Sequence, residues 1–165
     1  PVSLTTHHPG ITRIDVESAD EMYEAATASF TQSDAAIMCA AVADYKPATC
    51  SQQKMKRSGD DLTLQLVPNR DIAAALGKIK KKGQCLIGFA LETNDEATNA
   101  QSKLEKKNLD FVVLNSLQNP GAGFRHDTNQ VTIIERNGQS TDYPCKPKSE
   151  VADDIVALLA QYLNR

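Results

Sequence analysis

Two apolar segments of this chain become polar abruptly, and the side chains at those points are candidates for binding or catalysis. Residues 37–43 are followed at residues 44–47 by a carboxylate, a phenol, an amine and a proline. A second apolar run, residues 85–91, becomes polar in the same way. Because ligands bind outside the carboxyl ends of strands in open α/β sheets, the two runs predict one shared ligand edge. A strand buried on both faces and followed by an ordinary polar loop explains the first run equally well.

Lysines beside the predicted edge are suited to binding an anion. Lys54 and Lys56 lie in the polar segment 44–61, whose length is typical of a functional lid or a disordered loop. Lys103 and Lys107 stand four residues apart on a predicted helix, where like charges repel by about a few tenths of a kcal/mol. A bound polyphosphate would offset that repulsion, since charge stabilisation dominates catalysis on such ligands. On spacing alone, two solvated surface lysines remain the favoured interpretation.

The composition and the missing motifs weigh against several other functions. The net charge of −3 provides no basic field, so we expect no nucleic-acid partner. The dinucleotide fingerprint G-x-G-x-x-G, the P-loop and the G-x-S-x-G motif are all absent. The four cysteines form no C-x-x-C pair, so neither a disulfide framework nor a zinc site is expected. No apolar run approaches the roughly 20 residues that span a bilayer. No signal peptide is recognisable either, so we expect a cytoplasmic protein without a membrane partner.

Helix and strand signals alternate along the chain. Ser18 and Glu21 form a capping box that predicts a helix to about Phe30. Its position between predicted strands at residues 11–16 and 35–42 implies parallel pairing with a right-handed crossover. The further predicted elements are strands over residues 62–67, 85–91 and 110–114, helices over 70–80, 95–107 and 149–163, and a hairpin joining 129–135 to 139–145. This order predicts a mixed α/β domain.

Two of these helices carry more specific signals. Asn69 or Asp71 is suited to cap the helix over residues 70–80. The last helix has an apolar face at helical spacing, which is typical of core packing. That face consists of Val151, Ile155, Leu158, Leu159 and Tyr162.

Five segments in order resemble one known enzyme family. They are Ala-Ala-Val-Ala-Asp-Tyr-Lys-Pro at 40–47, Lys-Met-Lys-Arg-Ser-Gly-Asp-Asp-Leu-Thr-Leu at 54–64, Gly-Phe-Ala-Leu-Glu-Thr at 88–93, Lys-Leu-Glu-Lys-Lys-Asn-Leu-Asp at 103–110 and Asn-Pro-Gly-Ala-Gly-Phe at 119–124. Together they resemble phosphopantothenoylcysteine synthetase, the ligase half of the bacterial bifunctional coenzyme A biosynthesis protein. The resemblance covers essentially the whole chain.

The resemblance implies a fold, a reaction and partners. The fold would be a Rossmann-like three-layer α/β/α domain over residues 1–165, with a mainly parallel sheet, a C-terminal hairpin and helix, and a mobile flap at 44–61. The reaction would use CTP and Mg²⁺ to activate the carboxylate of 4′-phosphopantothenate as an acyl-cytidylate, from which the cysteine amine displaces CMP. Holding two anions together explains both the metal and the lysines. A homodimer is implied, and so is a fused or associated flavin-dependent decarboxylase domain.

The resemblance also implies roles for individual residues. The positions that match nucleotide-contacting residues are Asp44, Lys54, Asn69, Arg70, Asp71, Ile72, Phe89, Lys103 and Lys107. Within this set, Lys54 would also be catalytic, closing over the reacting phosphate and carboxylate. Phe89 would line the cytosine pocket. Lys103 and Lys107 would contact the triphosphate, which reverses the interpretation from spacing alone. Ala40 and Ala41 would let the substrate approach the backbone.

Three departures from the family pattern qualify these expectations. Arg70 stands where the family has a proline, and Leu91 stands where an alanine is usual. Nothing in residues 1–36 matches the glycine-rich segment with which the family begins and which supplies a catalytic asparagine. We therefore predict an N-terminally shortened ligase domain that keeps part of the nucleotide site. The retained lysines favour a ligase parent, whereas the missing segment favours a non-catalytic nucleotide-binding or interaction module.

Overall fold

The computed structural model describes residues 7–51, 53–56, 59, 61–92, 96–116 and 126–164. The helices in this part of the chain are α1 (Ala19–Phe30), α2 (Ile72–Ile79), α3 (Glu96–Lys106) and α4 (Lys148–Leu163). The strands are β1 (Ala35–Met38), β2 (Tyr45–Pro47), β3 (Leu66–Pro68), β4 (Cys85–Glu92), β5 (Phe111–Ser116), β6 (Thr128–Asn129), β7 (Val131–Glu135), β8 (Ser140–Asp142) and β9 (Lys146–Pro147). No helix among these residues is both long and apolar enough to cross a membrane.

In the described part of the chain, the main sheet has five strands in the order β1-β4-β5-β7-β8. β1, β4 and β5 run parallel, with Ile37 opposite Ile87 and Phe89 opposite Val113. The hairpin β7–β8 joins the far side of β5 in antiparallel register. The predicted hairpin is thus confirmed and extends the parallel part of the sheet. Two small antiparallel pairs, β2–β3 and β6–β9, lie outside this sheet.

Alternating strand residues build two cores on opposite faces of the sheet. On one face, Leu86 and Val112 pack with residues of α1, α2 and α3. On the other face, Ile87 and Val113 pack with Val151 and other apolar residues of α4. The fully buried β4 and β5 residues Leu86, Ile87, Val112 and Val113 are at most 1% exposed. The three-layer α/β/α arrangement is therefore confirmed, and so is the apolar core-facing stripe predicted for α4.

Local capping signals place the helix starts. The Ser18 hydroxyl oxygen accepts a hydrogen bond from the Glu21 N–H at 3.2 Å, as predicted. The Glu21 carboxylate accepts from the Glu17 N–H at 2.8 Å, one residue earlier than in a standard capping box. Of the two candidates for α2, Asp71 is the cap, because its carboxylate accepts from the Ala74 N–H at 3.0 Å.

Three strand predictions were wrong. Residues 11–16 form no strand. β1 is not buried on both faces: among the described residues it pairs only with β4, at the edge of the sheet, and Ile37 is 41% exposed. Its pairing with β4 ends at Met38 opposite Gly88, so residues 39–43 of the apolar run lie outside the strand. The strand predicted over 62–67 begins only at Leu66, as β3.

The segment 44–61 is less irregular than its composition indicates. Its residues 45–47 form β2, which pairs with β3 through Lys46 and Val67. The flap predicted over this segment therefore starts from a paired strand, and its mobility stays a prediction.

Candidate functional site

A cleft of about 180 Å³ opens at the carboxyl ends of β1 and β4. It is bordered by the segment after β1, the turn before α2, β4 and the last turn of α3. Nine of the eleven predicted site residues lie around it. These nine are Ala40, Asp44, Asn69, Arg70, Asp71, Ile72, Phe89, Lys103 and Lys107. Ala41 and Lys54 are not among the residues that line it.

The turn before α2 is bonded directly to the segment after β1. The Asn69 N–H donates to the Asp44 carbonyl at 2.7 Å, and the Asn69 side-chain amide donates to the Ala43 carbonyl at 2.8 Å. The Asn69 side-chain oxygen is buried, and within the described structure it accepts no hydrogen bond. A buried acceptor without a donor costs about 1–3 kcal/mol. Asn69 lines the cleft, so one unsatisfied acceptor lies buried in the turn beside it.

Asp71 connects the start of α2 to the end of α3. One of its carboxylate oxygens caps α2, and the other lies 3.0 Å from Lys107 Nζ. Burial alone would raise the pKa of Asp71. The hydrogen bonds from Ala74 and Lys107, together with the Lys107 charge, outweigh burial and hold this pKa below its usual range. At neutral pH the cleft therefore carries an ionised carboxylate that partly neutralises one of its two lysines.

Arg70 borders the cleft, but its guanidinium is bound to α1. Nη1 lies 2.8 Å from Glu24 Oε1, and Nη2 lies 3.3 Å from Asp20 Oδ1. The guanidinium carbon stands 3.7 Å from the centre of the Tyr23 ring, a cation–π distance. Asp20 also pairs with Lys46 of β2. These contacts hold the turn before α2 and the start of β2 against the same helix.

β4 presents different residues to its two faces. Gly88 lines the cleft. Phe89 also borders the cleft, but its partly buried side chain packs against the core beneath α4. A Cβ on Gly88 would lie 2.7 Å from a methyl carbon of Leu109, so only glycine fits there without a shift. Gly88, Leu109 and Val112 also line the cleft, although no motif predicted them. Strand alternation was the available signal, since it separates Gly88 from Phe89.

The carboxylates at the cleft suit a metal that arrives with a ligand. Among the described residues, no cluster of three or more His, Cys, Asp or Glu side chains could hold an ion. Asp44 and Asp71 are the acidic residues lining the cleft, and both Asp71 oxygens are engaged. Mg²⁺ is usually held by one or two carboxylates together with substrate phosphates. Asp44 with a bound triphosphate fits that donor set.

Comparison with known proteins identifies relatives along the whole chain. Residues 1–163 match the family model described as the DNA/pantothenate metabolism flavoprotein C-terminal domain. A protein named cysteine/cysteine sulfinic acid decarboxylase, from an unknown prokaryotic organism, is 53% identical over 156 residues, which cover 94% of this chain and 44% of that protein. The coenzyme A biosynthesis bifunctional protein CoaBC of Bacillus subtilis strain 168 is 42% identical over 160 residues, 97% of this chain and 39% of that protein.

A solved structure extends the similarity to the fold. The crystal structure of the C-terminal domain of a CoaBC protein superposes with a TM-score of 0.80 at 33% identity, covering 99% of this chain and 71% of that one. The chain thus spans less than half the length of the two curated relatives. The ordered motifs, the three-layer fold and the match over nearly every residue lead to one conclusion: the chain belongs to the DNA/pantothenate metabolism flavoprotein C-terminal domain family, the phosphopantothenoylcysteine synthetase family that its sequence resembles.

Proposed function

We propose that this chain provides the nucleotide-binding cleft of a CTP-dependent phosphopantothenate–cysteine ligase of coenzyme A biosynthesis. The main observation in favour is that Lys103, Lys107 and the turn of Asn69 and Asp71 meet at one cleft. The names of the bifunctional coenzyme A biosynthesis relatives support the same assignment. The proposal includes a homodimer and, in the parent protein, a flavin-dependent decarboxylase domain.

The proposed reaction has two balanced steps. A carboxylate oxygen of 4′-phosphopantothenate attacks the α-phosphorus of CTP, the bond from that phosphorus to the pyrophosphate oxygen breaks, and pyrophosphate leaves. The cysteine amine then attacks the acyl carbon of the acyl-cytidylate. The acyl carbon–oxygen bond breaks, CMP leaves, and the nitrogen loses a proton as the amide forms.

The residues of the cleft have separate tasks in this proposal. Lys103 and Lys107 stabilise the triphosphate, where fixed positive charge is the main contribution to phosphoryl chemistry. Phe89 would border the base from the edge of the cleft, since its side chain packs on the α4 side of β4. Ala40, with Ala41 next to it outside the cleft lining, would leave room for the substrate. Mg²⁺ would be held by the triphosphate with Asp44, and it would neutralise phosphate charge.

The remaining predicted roles concern the flap and the turn. Lys54 would close over the reacting phosphate and carboxylate when residues 44–61 cover the cleft. Asn69, Asp71 and Ile72 would contact the nucleotide, and Arg70 would support them from the α1 side.

Calorimetric titration with CTP and Mg²⁺ tests the site directly. We expect saturable heat that Lys103→Ala reduces. Lys106→Ala is the matched control, because Lys106 lies in the same helix turn, is exposed and does not line the cleft. Absence of CTP-dependent heat at millimolar ligand would refute the nucleotide site. The same titration with ATP measures the preference for the base.

Turnover assays test the reaction. The full-length parent is incubated with CTP, Mg²⁺, 4′-phosphopantothenate and cysteine, and equal amounts of CMP, pyrophosphate and amide are expected. Binding of CTP without turnover by the full-length parent would instead identify the alternative, a non-catalytic nucleotide-binding or interaction module. Release of carbon dioxide from cysteine or cysteine sulfinic acid is measured in parallel, because the name of one relative describes that activity. We expect none from this chain.

A further inference from the structure

We propose that Gly77 and Asn108 are positioning residues that place the Lys107 side chain in the cleft, an inference that rests on the proposed function. Neither residue lines the cleft. Both act at the contact between α2 and the end of α3, which we call the helix joint. The helix joint comprises Gly77, Lys80, Lys107 and Asn108.

Gly77 allows the main chains of the two helices to touch. It is buried within α2, and a Cβ built on it would lie 2.0 Å from the Lys107 carbonyl oxygen and 2.8 Å from the carbonyl carbon. Non-bonded heavy atoms have their optimal separation at about 3.5–4.0 Å. Any side chain at position 77 would therefore displace the Lys107 backbone by more than about 1 Å. Since backbone atoms rather than a flexible side chain are in the way, the helix end itself must move.

Asn108 holds the end of α3 in this close contact. It has a φ of 53°, in the left-handed region that asparagine tolerates better than most residues. Its side-chain amide donates to the Gly77 carbonyl at 2.8 Å, and its own carbonyl accepts from Lys80 Nζ at 2.7 Å. The Lys80 ammonium also lies 2.8 Å from Asp110 Oδ2. Thus Gly77 of α2 and Lys80, the residue that follows α2, contact Asn108 at two points, and neither residue lines the cleft.

The helix joint controls Lys107 because α2 also contacts the other end of that residue. The Lys107 carbonyl faces Gly77, and its Nζ lies 3.0 Å from the Asp71 carboxylate at the start of α2. Asp71 and Gly77 are six positions apart, or about 9 Å along a helix axis. Lys107 therefore lies along α2, held at its backbone by the joint and at its charge by Asp71. Moving its backbone shifts the ammonium relative to any anion in the cleft.

A double-mutant cycle with inorganic triphosphate as the probe tests this inference. Affinity is measured by calorimetry for the chain, Gly77→Ala, Lys107→Ala and the double variant. We expect Gly77→Ala to weaken binding about five-fold, and to change it little once Lys107 is already alanine. A general loss of structure would weaken binding by the same factor in both backgrounds.

Asn108→Gly provides a second variant if Gly77→Ala does not fold. Glycine keeps the left-handed conformation and removes only the side-chain hydrogen bond to Gly77. We expect the same dependence on Lys107 with a smaller loss of affinity. Far-UV circular dichroism and the urea midpoint confirm that each variant is folded.

The outcomes separate this inference from the proposed function. If the unmodified chain does not bind triphosphate, or if Lys107→Ala binds as well as the unmodified chain, the proposed contact fails and the inference fails with it. If Lys107→Ala weakens binding while Gly77→Ala and Asn108→Gly have no effect, the inference alone is overturned. Equal losses in both Lys107 backgrounds also overturn it.

Discussion

The Asp71 carboxylate competes with an anionic ligand for Lys107, which leads to an unusual prediction for Asp71→Asn. We expect this substitution to strengthen the binding of inorganic triphosphate. Asparagine still caps α2, because its side-chain oxygen accepts from the Ala74 N–H as aspartate does. The variant therefore removes one negative charge from the cleft and frees the Lys107 ammonium, while the helix start is kept.

The magnitude follows from the exposure of the pair. The Asp71 and Lys107 side chains are 48% and 30% exposed, and such solvated pairs contribute about 0.2–1 kcal/mol. In Asp71→Asn a bound anion no longer has to break this pair to reach Lys107, so its binding gains the free energy of the pair. Repulsion between the carboxylate and a phosphate charge about 4 Å away adds about 1 kcal/mol in water. We therefore expect a net gain in binding of about 1–2 kcal/mol, roughly a five- to thirty-fold lower Kd.

Calorimetry at two salt concentrations tests this prediction. Asp153→Asn is the matched control, since it makes the same charge change on the exposed side of α4. The gain should shrink at high salt, where charges at the surface are screened. If Asp71→Asn binds triphosphate no better than Asp153→Asn does, Lys107 is not held back by Asp71 and the electrostatic reasoning fails.

Two further predictions concern the opposite end of the sheet. Asp110→Ala should lower the free energy of unfolding by about 3–5 kcal/mol in urea titrations, because it leaves the Lys80 ammonium, whose side chain is 9% exposed, without its carboxylate partner. Adding Lys80→Met should recover part of this loss. A loss below about 1 kcal/mol for Asp110→Ala would contradict the role of the pair. Cys85 is buried, and burial together with the Asp110 charge raises its pKa to about 12. The other three cysteines are exposed and should react with a thiol reagent in the folded chain. Cys85 should react only after unfolding. In the unfolded chain the Cys85 thiol ionises near pH 8.5, below its pKa in the folded chain. Between pH 8.5 and the raised pKa, the free energy of unfolding should therefore fall by up to about 1.4 kcal/mol per pH unit. The Cys85→Ala variant should lack this contribution to the pH dependence.

The sequence predicted those elements whose signals are local. Each of these signals depends on residues that are neighbours in the sequence. The examples are the Ser18 cap, the hairpin at Asn137 and Gly138, and the apolar stripe of α4. β4 and β5 could be predicted as well, because a strand covered on both faces is apolar throughout. These elements were enough to predict a mixed α/β domain, while the three-layer arrangement was an expectation from the family resemblance.

Strand burial and strand ends were predicted less well, because they depend on distant neighbours. The run of β1 has the composition of a central strand, yet its place at the edge of the sheet is decided by which strands pair with it. Likewise, residues 62–65 alternate as a strand does but lie outside β3, although the Gln65 carbonyl accepts a hydrogen bond from the Ala48 N–H at 2.8 Å. Periodicity alone contains no information on pairing across the chain.

The candidate site shows the same limit at the level of side chains. The motifs place nine residues around one cleft, but they do not reveal which of those side chains already have partners. Arg70 is the clearest case, because its partners Asp20 and Glu24 precede it by 50 and 46 residues. Proline at this position in the family would restrict the turn through its fixed φ. Arginine leaves the backbone free and holds the same turn by contacts with α1 instead. In this chain the geometry of Asn69 and Asp71 therefore depends on α1, so a substitution of Asp20 or Glu24 would reach the cleft through Arg70 although neither residue lines it.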